Sequence, residues 1–160
     1  MIRVGLGLDF HRFAPGRKLI LGGVEIPYKL GLAGHSDADV LSHAICDALL
    51  GAAGLGDIGR WFPDKDPRFK DISSLVLLRE VGGMVRAKNF QIGNIDACVL
   101  AQEPRLVPYI PRMGKRLAEA LKIEKELINI KATTPEGLGA LGRGEGLATW
   151  AIAVLVSVSA

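Results

Sequence analysis

Residues 146–158 carry hydrophobic side chains on both alternations: Leu147, Ala151, Ala153 and Leu155 on one, Ala148, Trp150, Ile152, Val154 and Val156 on the other. Successive side chains of a strand leave opposite faces, so a strand with this pattern needs cover above and below. Helices can cover only one face of a small open sheet. The second face calls for another cover, most simply a second copy of the chain, and a homo-oligomer is expected. The longest apolar run, 148–158, is strand-sized and too short to span a bilayer.

The rest of the chain supplies the remaining layers. Residues 2–11 alternate as a strand, and residues 18–21 and 24–26 flank Gly22-Gly23 as a hairpin. A helix is expected over 37–54, capped by Ser36 with Asp39 at capping-box spacing and ended by Gly54. A polar loop follows over 60–71, then a helix from Ser73 or Ser74 to about Lys88, weakened at Gly82-Gly83. Strands at 91–101 and 128–132 flank a short helix at 111–121 with a proline in its first turn. The expected fold class is α/β (α+β). One domain over 1–160 would hold a mixed, mainly four-stranded sheet, helices on one face and a small β-hairpin.

Charge and cysteine usage narrow the function classes. The 20 basic and 17 acidic residues are spread along the sequence, with no arginine-rich arm, so nucleic acid is a poor partner. Cys46 and Cys98 make no disulfide framework and read as small buried hydrophobes suited to a reducing cytosol. The sequence starts directly on its first strand, with no signal or transit segment, and a cytoplasmic protein is expected. A plastid form would need a transit peptide ahead of it.

Chemistry concentrates around three histidines. Asp9 and His11 lie two apart on the first strand and would leave the same face. On the first helix, Asp39, His43 and Asp47 recur every four residues and share a face. Asp9, His11 and His43 would give two nitrogens and an oxygen, the donor set of catalytic zinc sites that keep one position open. Taken singly, each histidine reads more readily as an ordinary hydrogen-bonded residue, and it is their clustering that brings the metal reading level with it. All three histidines of the chain, including His35, fall within or beside these two segments.

Phosphate-handling groups lie farther along. Lys131-Ala132-Thr133-Thr134-Pro135-Glu136-Gly137 leaves a strand through two hydroxyls and enters a candidate helical turn with proline first. Thr134 as a plain helix cap is the alternative. Glu136 would repel a phosphate unless a cation such as magnesium lay between them. Arg143, between glycines, is a possible phosphate clamp or an ordinary turn residue. The strand-to-helix loop 101–107, with Arg105, could hold a nucleotide or simply connect.

These motifs, in this order, resemble one family: 2-C-methyl-D-erythritol 2,4-cyclodiphosphate synthase of the non-mevalonate isoprenoid pathway. The resemblance covers essentially the whole chain through Asp9-x-His11, residues 35–43, Asp57-Ile58-Gly59 with Phe62-Pro63-Asp64-Lys65-Asp66, residues 131–136 and 142–146. It implies a lyase that joins the 2-phosphate of 4-diphosphocytidyl-2-C-methyl-D-erythritol 2-phosphate to its own β-phosphorus and expels CMP. Asp9, His11 and His43 would hold Zn2+, and Glu136 would hold Mg2+ or Mn2+ across the substrate diphosphate. His35 and Thr134 would position groups and stabilise the transition state. Ser36, Asp57, Ile58, Gly59, Phe62, Pro63, Asp64, Lys65 and Asp66 would close over the methylerythritol part. Ala101, Gln102, Glu103, Pro104, Arg105, Leu106 and Val107, with Ala132 and Thr133, would form the cytidine pocket. Pro135, Ala140 and Arg143 complete the implied substrate-binding set. The implied assembly is a homotrimer with active sites between subunits, its sheets packed together.

Departures from the family pattern are specific. Leu8 and Ala140 stand where many members carry aromatic residues lining a cavity on the trimer axis, with Arg143 and Glu145 at its mouth. Arg105 replaces a frequent lysine, which keeps the charge but changes the contact geometry. Two other function classes fit the bare residues. One is a zinc phosphohydrolase using metal-bound water, and the other is a non-catalytic module that assembles through its sheet.

Overall fold

A computed structural model describes residues 1–158. The chain opens on β1 (Ile2–Ala14), runs through the hairpin β2 (Leu19–Leu21) and β3 (Val24–Ile26), and returns on β4 (Gly31–Leu32) to the end of β1. Gly22 and Gly23 take φ of 55° and 70°, the left-handed pair that a two-residue hairpin turn requires. Next come α1 (Val40–Ala53), the single turn α2 (Ile58–Trp61) and α3 (Ser74–Ala87). The second half adds β5 (Phe90–Leu100), α4 (Ile110–Leu121), β6 (Ile128–Thr133), the short α5 (Gly139–Gly142) and β7 (Gly146–Ser157).

The main sheet has the order β4-β1-β7-β5-β6, with a separate two-stranded β2-β3 sheet. It is mixed, as expected, because β5 and β6 pair in parallel across the α4 crossover while the other pairs are antiparallel. Four strands are long and the fifth, β4, has only two residues. Among the described residues, no helix is long and apolar enough to cross a membrane.

Alternation along β1 decides what each face does. Gly5, Gly7, Asp9 and His11 face the helices, while Ile2, Val4, Leu6, Leu8 and Phe10 face outward and stay exposed, Leu6 at 64%. Ile152 and the half-buried Trp150 and Val154 of β7 continue this outer face. Toward β5 and β6 the same face turns polar, where Asp96 pairs with Lys131 and accepts a hydrogen bond from Asn129. The apolar half is therefore confined to β1 and β7.

On the inner face, α1 crosses β1 at unusually short range. A Cβ added at Gly5 would stand 2.0 Å from the Ala48 carbonyl oxygen, and one at Gly7 would stand 1.8 Å from that of Ala44. Two glycines on the strand and Ala44, Ala48 and Ala52 on the helix bring backbone against backbone. Close packing leaves no room for slippage, so the next residues along each element, Asp9, His11 and His43, are held in fixed relation.

The start of α1 differs from the expected one. Ala38 adopts φ 58°, and Asp39, not Ser36, is the N-cap, its carboxylate accepting the Ser42 N–H at 3.0 Å. The same buried carboxylate also accepts the N–H groups of Gly22 and Gly23 and the Ser42 hydroxyl. These bonds hold the hairpin turn to the helix start. Gly54 ends α1 in the left-handed conformation, as expected. Segment 60–71 is less irregular than expected, since it begins inside α2 and contains a 3-10 turn at Pro67–Phe69. Gly82-Gly83 does not interrupt α3, and Gly82 packs closely against Leu121.

Candidate functional site

Asp9, His11 and His43 converge at the inner end of β1. The Asp9 Oδ2 lies 3.0 Å from His11 Nε2 and 3.1 Å from His43 Nδ1, and the two ring nitrogens are 3.3 Å apart. In a tetrahedral site with bonds of about 2.0–2.1 Å, neighbouring ligand atoms stand about 3.3 Å apart, so these three atoms form one face of such a site. Hydrogen bonding alone does not account for the triangle. The His11 Nδ1–H is directed at the Ala33 carbonyl oxygen at 2.6 Å, which leaves neutral His11 a bare lone pair at Nε2, facing other acceptors. A divalent cation fits this arrangement of donor atoms.

Without a cation, protons take its place. Burial would raise the Asp9 pKa, but hydrogen bonds and charge from His11 and His43 outweigh it and bring the carboxyl down to about 2. Burial would lower His11, and the Asp9 carboxylate outweighs that and raises it above 6.5. On its far side, His43 Nε2 meets the hydroxyls of Ser74 at 2.8 Å and Ser36 at 3.2 Å.

The triad opens into a cleft of about 340 Å³. His35, Ser36, Ile58, Gly59, Phe62 and Asp64, all expected here, line it together with Phe10, Gly34, Phe69 and Leu77. The His35 ring is fixed by a 3.0 Å hydrogen bond from Nε2 to the Asp66 carbonyl oxygen. Asp47, one turn beyond His43, accepts the Ile58 N–H at 2.7 Å and so sets the wall that carries Ile58 and Gly59. Asp57 lies outside this lining and caps α2 through the Arg60 N–H. Pro63, Lys65 and Asp66 also lie outside it, and the Asp66 carboxylate pairs with Arg68.

A second cleft, of about 680 Å³, lies between the loop after β5 and the end of β6. All seven residues of 101–107, plus Ala132, Thr133, Thr134 and Glu136, line it as a group. Thr134 and Glu136 are thus separated from the triad within one chain. Segment 134–138 is a turn, not the start of a helix. Glu136 and Gly137 both have positive φ, 53° and 74°, and Leu138 N–H closes onto the Pro135 carbonyl. Thr134 Oγ1 donates to Glu136 Oε1 at 2.7 Å, and Gly137 N–H donates to Gln102 Oε1 at 3.0 Å, which ties the turn to the opposite loop. Pro135, Ala140 and Arg143 lie outside both linings, and Arg143 pairs with Glu145.

Sequence reasoning missed Tyr28 and Ser74. Tyr28 lines the second cleft and packs against Phe13. Its position in a proline-tyrosine-lysine loop gives no periodic signal. Ser74 was visible only as a helix start.

The YgbB family model matches residues 2–156. A 2-C-methyl-D-erythritol 2,4-cyclodiphosphate synthase of Lachnospira eligens is 60% identical over 158 residues, which cover 99% of this chain and 86% of that protein. The bifunctional IspDF of Campylobacter jejuni superposes at a TM-score of 0.96 and 45% identity over 99% of this chain, which spans 43% of the longer IspDF chain. IspF of Plasmodium falciparum, solved as a CDP complex, gives a TM-score of 0.87 at 33% identity, covering 99% of this chain and 97% of that one. With its motifs, fold and near-full-length identity in agreement, the chain belongs to the YgbB family, that of the 2-C-methyl-D-erythritol 2,4-cyclodiphosphate synthases.

Proposed function

We propose that this chain is a lyase of isoprenoid precursor synthesis. It converts 4-diphosphocytidyl-2-C-methyl-D-erythritol 2-phosphate to 2-C-methyl-D-erythritol 2,4-cyclodiphosphate and CMP. The observation that carries the reading is the convergence of Asp9, His11 and His43 in a cleft, with a separate nucleotide-sized cleft formed by 101–107 and 132–136. The L. eligens relative bears the synthase name and the P. falciparum relative binds CDP, both in keeping with it.

In this reading Asp9, His11 and His43 would hold Zn2+, and Glu136 would hold Mg2+ or Mn2+. Two divalent ions would supply the positive charge that lets two phosphates approach and that stabilises the charge developing on the leaving phosphate. The chain's own groups bind and orient. Ile58, Phe62, Phe69 and Leu77 give the first cleft an apolar wall that limits water around the methylerythritol part. His35 and Ser36 border the reacting end. The loop 101–107, with Ala132 and Thr133, forms the cleft that takes the cytidine part. Thr134 borders the diphosphate beside Glu136, to which its hydroxyl donates. Attack is intramolecular, so holding both phosphates in reach supplies much of the acceleration. The attacking phosphate is already ionised, and no protein nucleophile or strong base is required.

Since the two groups of residues lie in different clefts of one chain, a complete site needs neighbouring copies. The apolar outer face of β1 and β7 suits that assembly, a homotrimer of single-domain chains in the cytoplasm. The test is incubation of the zinc- and magnesium-loaded protein with the cytidyl substrate. Phosphorus NMR should show CMP and a cyclic diphosphate in equal amounts. CMP with an open-chain phosphate would instead assign a hydrolase.

A further inference from the structure

We propose that Asp37 and Ser74 form a positioning pair that fixes His43 with its proton on Nε2 and its lone pair on Nδ1, the nitrogen that faces Asp9 and His11. The inference deepens the metal-binding part of the proposed function and does not depend on the ring-closure step.

The assignment follows from counting donors. Ser74 is fully buried at the start of α3. Both oxygens of Asp37 grip it: Oδ2 accepts the Ser74 N–H at 3.0 Å and Oδ1 accepts the Ser74 hydroxyl at 2.5 Å. Oδ1 also takes the Asp39 N–H at 3.2 Å, so the carboxylate acts throughout as acceptor. A serine hydroxyl has one hydrogen, and here Asp37 holds it. Toward His43 Nε2, at 2.8 Å, Ser74 can then only accept. For a neutral His43 the proton is placed on Nε2, and Nδ1, 3.1 Å from Asp9 Oδ2, is the nitrogen that would be free for a cation. Ser36 does not fix the proton in this way: its oxygen accepts the Ala38 N–H at 3.1 Å, and among the described residues no carboxylate accepts its hydroxyl hydrogen.

This network also explains how α3 begins. Ser73 caps α3 without a side-chain hydrogen bond, and Asp37 supplies the missing acceptor to the first turn from 37 residues away. The positioning pair therefore ties α3 to the ligand on α1. A histidine whose far nitrogen is fixed in this way binds metal more tightly, and loss of such a partner typically weakens affinity about 10–100-fold.

The test measures zinc affinity by chelator competition on the full chain and on Ser74→Ala, Ser74→Thr and Asp37→Asn, with circular dichroism to confirm folding. Ser74→Ala should bind zinc about 10–100-fold more weakly. Ser74→Thr, which keeps the hydroxyl, should stay close to the parent. Asp37→Asn should weaken binding too, because its amide cannot accept at both positions. In nitrogen NMR of the zinc-loaded parent, His43 should be metal-bound through Nδ1 with a slowly exchanging Nε2–H that exchanges faster in Ser74→Ala. Zinc affinity in folded Ser74→Ala within about twofold of the parent, well short of that expected loss, would overturn the pair. So would a Ser74→Thr variant as impaired as Ser74→Ala, or His43 bound through Nε2 in the parent. A chain that binds zinc in this manner yet makes no cyclic diphosphate would refute the proposed reaction and leave the pair intact.

Discussion

Gly7 of β1 and Ala44 of α1 approach so closely that a β-carbon on the glycine would stand 1.8 Å from the alanine's carbonyl oxygen. Both partners are backbone, and no rotamer change can relieve the overlap. Gly7→Ala must push α1 away from the strand, at a cost of about 3 kcal/mol or more. His43 moves with the helix. Thermal unfolding should show the lost stability, and any folded remainder should bind zinc poorly.

Removing a ligand without disturbing the packing separates fold from site. His43→Ala should lose bound zinc and turnover while keeping its oligomeric state, since the core is built from other residues. Elemental analysis and size-exclusion chromatography check both halves. Turnover by a zinc-free variant would contradict the metal assignment.

Proton and metal compete for His11. Its pKa is raised above 6.5 by Asp9, so in the metal-free protein the charged ring stabilises the fold below the unfolded value, and that contribution is lost as pH rises through the raised value. Zinc needs the deprotonated ring. Its affinity should therefore grow with pH across the same window, and the rise in Tm on adding zinc should be small near pH 5.5 and larger at about pH 8. Melting curves with zinc and with chelator, taken across that range, test the sign.

Thr134 faces the other cleft, and its loss should read differently. Thr134→Ala removes the hydroxyl bonded to Glu136 without touching the triad. A fall in kcat of about 10–100-fold with normal zinc content is expected if that hydroxyl contacts the diphosphate in the transition state. An unchanged rate removes Thr134 from the site.

Leu6 is 64% exposed at the centre of the apolar outer face. Leu6→Asp places a charge where a neighbouring copy would pack, and light scattering should find monomers in place of the proposed trimer. Activity should vanish with the assembly although zinc is still bound.

Much of this arrangement was legible in the sequence because it rests on local periodicity. The alternation of β1 put Asp9 and His11 on one face, and the two-sided apolar pattern of β7 marked the sheet face left uncovered by helices. What escaped depends on partners far along the chain. Ser36 has the spacing of a helix cap, yet the left-handed Ala38 breaks the helix before it. Asp39 takes that role while bonding Gly22 and Gly23, sixteen or more residues back. Pro135 reads as a helix start, but Glu136 and Gly137 both turn left-handed and reverse the chain. Ser74 gained its place beside His43 only through the packing of α3 on α1.

The single carboxylate of Asp39, accepting from Gly22, Gly23 and twice from Ser42, has a kinetic corollary. Neither the tip of the hairpin nor the first turn of α1 can come loose without leaving a buried carboxyl group short of donors that the two segments supply together. The two segments, distant in sequence, should breathe as one unit, their amide hydrogens exchanging with solvent in a single shared opening.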